Sequence, residues 1–162
     1  MAVDKASVSV SASVLPEDIR VEVGGSVTHE IADGAGDTSK WISYSIDIDT
    51  SSEVIIPADI GYANGSNVSG LSPTRTASSD KVEFIVLKHS GFRSDGTTAS
   101  AANEVVHFNF TDSTAAAAAT GNLQLNPGEV WWGRMSGTPD TADLTAIAIN
   151  NDVKLLVYAI LD

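Results

Sequence analysis

Apolar and small polar residues alternate with a period of two near both ends of this chain and at several places between. That period suits β-strands and fits no amphipathic helix. From Ser7 to Val14, Val8, Val10, Ala12 and Val14 take one side and serines the other, as a half-buried strand requires. Trp41 to Ile48 repeats the pattern, with Ile42, Tyr44, Ile46 and Ile48 facing one way and Ser43, Ser45 and Asp47 the other. In Val82 to Leu87, Val82, Phe84 and Val86 share one face while Ile85 and Leu87 share its opposite. Both faces of that strand are expected to be covered. Val153 to Leu161 is apolar on both faces too, which predicts a strand central in a sheet or sealed by a neighbouring subunit.

The remaining segments alternate less regularly. Ile19 to Ile31 reads as an extended run split at Gly24 and Gly25, where a bulge, bend or tight turn is expected. Val105 to Phe110 puts Val106, Phe108 and Phe110 in register. Leu123 to Leu125 and Val130 to Met135 flank Asn126-Pro127-Gly128, and this turn signal predicts a hairpin. Asn150-Asn151-Asp152 likewise predicts a hairpin between Leu144–Ile149 and the last strand. Residues 61–80 and 91–103 are polar and read as long loops, with a short strand expected near Val68 to Leu71. Five alanines, Ala115 to Ala119, are too few for a stable helix. About nine short strands and no long helix predict an all-β, antiparallel β-sandwich. Its expected order is jelly-roll-like, with an immunoglobulin-like sandwich as the alternative. One domain over residues 1–162 is expected, with an N-terminal arm at residues 1–14.

Chemistry is sparse. The 162 residues contain no cysteine, so disulfides and thiolate sites are excluded. A formal charge of -12, from 21 acids against 9 bases, repels a phosphate backbone and argues against nucleic acid as a partner. Met1 to Lys5 lacks the layout of a signal peptide, and no apolar run approaches a membrane span. A soluble chain with no membrane partner is the expectation. His29, His89 and His107 lie far apart and show no ligand spacing. Asp47, Asp49 and Glu53 are weak candidates for a calcium site, since they lack the glycine and ordered ligands of a calcium loop. Asp33 and Asp37 bracket a glycine loop in a comparable way. Neither a phosphate-cradling loop nor a nucleophile elbow is present, so no enzyme, metal or cofactor is expected.

The most distinctive pair is Trp131-Trp132, whose members must point to opposite faces of a strand. Sharing a face with Val130, Trp132 is expected in the core and Trp131 outward as an interface anchor. Trp41 is expected as a strand-end cap, and Arg134 near these aromatics is expected to pair with a surface acid. With Tyr158 in the last strand and Val8 and Val10 in the N-terminal arm, Trp131 and Arg134 make up the expected interface residues.

The opening Ala6 to Val14, Leu15-Pro16-Glu17-Asp18 and Ile19 to Val23 resembles the start of small virion-associated proteins of tailed phages. The Leu125-Asn126-Pro127-Gly128-Glu129 turn before Val130-Trp131-Trp132, and the strand Val153 to Leu161, are similar to such proteins as well. The resemblance implies an auxiliary, non-catalytic protein of the virion, assembled in the host cytoplasm. Such a protein decorates or stabilises a phage capsid as a homo-oligomer, a trimer or dimer, through contacts with the major capsid protein or another virion protein. The competing expectation is a carbohydrate- or receptor-binding β-module of a tail, fibre or baseplate.

Overall fold

The computed structural model describes residues 4–14, 21–31, 40–58, 80–110, 123–135 and 139–161, with side chains from residue 42 onward. Among the described residues ten strands follow one another: β1 (Asp4–Val14), β2 (Val21–Ile31), β3 (Lys40–Ile48), β4 (Glu53–Val54), β5 (Val82–Arg93), β6 (Val106–Asn109), β7 (Leu123–Leu125), β8 (Val130–Arg134), β9 (Thr145–Ala148) and β10 (Val153–Leu161). One 3-10 turn, Thr141–Asp143, precedes β9. Every strand pairing is antiparallel. The expected all-β sandwich is what forms.

Two four-stranded sheets make the sandwich, in the orders β3-β10-β5-β8 and β4-β9-β6-β7. The pairing is nested. β3 pairs with β10, β4 with β9, β5 with β8 and β6 with β7. The chain therefore runs out through β3 to β6 and returns beside itself through β7 to β10. β10 lies between β3 and β5, the central place that its two apolar faces predict.

The core fills the space between the sheets. Ile42 and Ile48 enter from β3, Ile85 and Leu87 from β5, and Leu155 and Val157 from β10, facing Val106 and Phe108 of β6. Tyr44 points inward as well, and its hydroxyl donates to the Ile55 carbonyl. Burial pushes that phenol well above its ordinary range. Val82 joins this core instead of the face shared by Phe84 and Val86, because the β5–β10 register shifts between Ile160 and Leu161.

Four expectations of connection are corrected. Asn126-Pro127-Gly128 does reverse the chain, with the Glu129 amide donating to the Asn126 carbonyl at 3.0 Å. Yet β7 belongs to one sheet and β8 to the other, so the turn crosses the sandwich and makes no hairpin. Asn150-Asn151-Asp152 crosses in the same way between β9 and β10. Gly24 and Gly25 cause no bulge; they sit opposite Ser11 and Val10 in unbroken register along β1 and β2. The loop expected from Gly91 starts late, since β5 continues to Arg93 and Phe92 bridges Ala99. Asp33 to Asp37, the excursion from Gly61 to Ser79 with its expected strand near Val68, and Ala115 to Ala119 lie outside the described residues.

Candidate partner-binding surfaces

The register of the β3-β10-β5-β8 sheet decides what its outer face carries. Leu87 is a core residue, and Trp131 stands opposite it. Directly opposed residues share a face, so Trp131 points into the sandwich. There it packs against the core and stacks on Phe110 at a ring distance of 5.2 Å, and Phe110 stacks on Phe108 at 6.1 Å. A three-ring ladder thus joins β8 to β6. Trp132 stands opposite Val86 on the outer face, next to Phe84 at 6.3 Å. The expected facing of the two tryptophans is therefore reversed. Trp131 is the core member and Trp132 the outer one. Their strand is apolar on both sides, so alternation alone could not orient it.

Across this outer face, Ser43, Tyr158, Val86 and Trp132 form one row; Ser45, Leu156, Lys88 and Val130 form the next. Arg134 follows, opposite Phe84. Near the chain end the face is closed, with Phe84 4% and Ile160 1% exposed. Toward the middle it opens, with Tyr158 41% and Val130 51% exposed. Lys88 is exposed there and Arg134 is exposed at the β8 end of the Ile160–Phe84 row, and neither forms an ion pair among the described residues. Asp47, on the same face, pairs with Lys154 at 2.5 Å. Of the expected interface residues, the register places Arg134 and Tyr158 on this outer face, together with Lys88, Val130 and Trp132.

Asp47, Asp49 and Glu53 do not share a strand face, because β3 ends at Ile48. Asp49 instead accepts from the Ser51 amide and hydroxyl, each at 2.5 Å, and these bonds hold its carboxyl below the ordinary range. Glu53 moves the other way. Partial burial and the neighbouring charges of Asp49 and Asp152 push it up. No group of three histidine or acidic side chains suited to a metal occurs among the described residues.

A second surface is the β1–β2 ribbon. Its eleven facing pairs place Val8 opposite Val27 and Val10 opposite Gly25. It is a two-stranded sheet separate from both sheets of the sandwich. The register is unbroken over all eleven pairs.

Two buried ionisable groups, His89 and Glu104, belong to one closed knot. His89 accepts from the Gly91 amide at Nδ1 (3.1 Å), which leaves the proton on Nε2 to donate to the Glu104 carbonyl at 3.0 Å. Burial pushes His89 down from its ordinary range. The Glu104 carboxylate accepts from Arg93 Nε and Nη2, the Ala101 amide and Asn151 Nδ2. Arg93, the largest contributor, keeps it ionised below the usual range. The knot ties β5, the turn after it and the β9–β10 connection together. The side chains of Val8, Val10, His29 and Trp41 lie outside the described residues. Comparisons of the chain with protein-family models, with curated proteins and with solved structures find no match.

Proposed function

We propose that this chain is a non-catalytic structural protein of a phage virion, which decorates or stabilises the capsid through protein contacts. The observation that carries the reading is the β1–β2 ribbon. Its pairing with each other alone leaves one backbone edge of each strand outside any described sheet, and such an edge is a template for strand addition. A lone two-stranded hairpin is marginal in water, so the ribbon gains stability from a strand or surface that adds to it.

Two further features support it. The nested order β3-β10-β5-β8 over β4-β9-β6-β7 fits a jelly roll, a fold used in viral shells among other settings. The His89–Glu104 knot has its donors and acceptors spent on internal bonds, which suits a structural role better than acid–base work.

Cosedimentation tests the proposal. The purified chain is expected to pellet saturably with assembled capsids of the phage that encodes it and to ignore unassembled shell subunits. Val8→Asp combined with Val10→Asp should abolish pelleting while the sandwich keeps its near-ultraviolet signature. Binding to neither shell form would sink the proposal. Quenching or enhancement of tryptophan fluorescence by glycans, with no shell binding, would favour the receptor-binding alternative, because Trp132 sits half-buried on an open face.

A further inference from the structure

We propose that the open outer face of β5, β8 and β10, around Lys88, Val130, Trp132, Arg134 and Tyr158, receives a second copy of this chain, which enters with its Asp49–Glu53–Asp152 end. The inference stands independently of the capsid, since it concerns contacts between copies.

Charge argues for it first. The chain carries -12, yet on this face the described cations are Lys88, Arg134 and Lys154, against Asp47, which Lys154 already holds. Two unpaired cations on so acidic a molecule make the face the complement of the molecule's own surface. Its composition argues next. Half-exposed Val130 and Tyr158 beside Trp132 and Arg134 match the aromatic and arginine anchors that dominate binding energy, with exposed aliphatic area around them.

The acidic counterpart lies at the end of the sandwich where β3 leaves and β10 begins. Asp49 follows the edge strand β3, Asp152 precedes β10 and Glu53 begins β4 of the other sheet, while β8 is the edge opposite β3. Asp49, Glu53 and Asp152 take part in none of the ion pairs among the described residues, and Glu53 feels the repulsion of the other two. A neighbour's Lys88 and Arg134 would neutralise them. Charge disfavours the simplest alternative. Packing the face on itself would bring together two surfaces that each carry Lys88 and Arg134. The contact therefore joins unlike surfaces, the geometry that closes into a ring when the rotation allows.

Sedimentation velocity on the full chain, without any shell, reads this directly. Wild type is expected to associate reversibly, and added salt should weaken the association. The pair Lys88→Glu with Arg134→Glu should weaken it about tenfold or more, as should Glu53→Lys with Asp152→Lys on the other surface. Mixing the two variants should restore a dimer, because each then offers the surface its partner lost. Circular dichroism confirms folding, and Lys88→Gln with Arg134→Gln replaces the reversal should that variant misfold. A wild type that stays monomeric at every concentration would overturn the inference. So would association unchanged in the face variant, or a mixture that remains monomeric. Failure of capsid binding would leave all these readings intact, and the converse also holds.

Discussion

A single imidazole sets the pH response of the sandwich near neutrality. His89 is buried and neutral, with the Gly91 amide donating to the nitrogen that a second proton would occupy. Protonation would set two donors against each other. Burial lowers its folded-state pKa from 6.5, so below that value the unfolded chain binds more protons than the folded one. Stability is therefore complete above about pH 6.5 and declines as pH falls toward the depressed pKa, with a slope of at most about 1.4 kcal/mol per pH unit. Glu104 and Glu129, the carboxylates nearest the ring, moderate the shift without reversing it. Urea titrations between pH 7 and pH 5 should show the decline, and His89→Gln should flatten it. A wild-type midpoint constant over that interval would refute the assignment. His89 could be recognised as a strand histidine from its neighbours, but its role could not, because Glu104 lies fifteen residues away. Trp131 and Trp132 show the same limit. That they oppose each other follows from strand geometry alone, whereas which one is buried depends on Leu87 across the sheet.

At the scale of elements, the strands were legible and their partners were not. Alternation located β1, β3, β5 and β10 because each strand carries its own burial pattern. Turn chemistry located the reversal at Asn126-Pro127-Gly128 for a similarly local reason. What a turn does not specify is the sheet that the next strand joins, and here β7 and β8 separate. Gly128 is the residue that permits the crossing. Its φ is +84° and a Cβ there would meet nothing within 4 Å, so any cost of a side chain is backbone strain alone. Gly128→Ala should destabilise the protein by about 1 kcal/mol, and Gly128→Asn by less, because asparagine tolerates this region best. Chemical denaturation of both variants measures the order. Equal or greater loss with asparagine would show that the position is constrained by something other than φ.

Nesting makes the whole molecule depend on its two ends unequally. The sandwich's first strand, β3, hydrogen-bonds along its full length to its last, β10, which in turn holds β5. The β3-β10-β5-β8 sheet is not complete until residue 161 is in place, so the contacts that close the core span more than a hundred residues. High contact order of this kind slows folding. Local sequence patterns cannot show it, since they carry no record of which distant strand becomes a neighbour. The N-terminal ribbon stands in the opposite position, because its eleven pairs are made within residues 4–31 and belong to neither sandwich sheet. Two truncations therefore separate in outcome although the milder one removes more chain. Removing residues 1–31 should leave a cooperative unfolding transition and the near-ultraviolet signal of the Phe108–Phe110–Trp131 ladder. Removing residues 153–162 takes away Leu155, Val157, Ala159 and Leu161 from the core and splits β3 from β5, so no cooperative transition should remain. Differential scanning calorimetry on the two products decides the matter. A cooperative transition in the C-terminal truncation would mean that β3 and β5 can pair without β10, which contradicts the nested order as the source of stability.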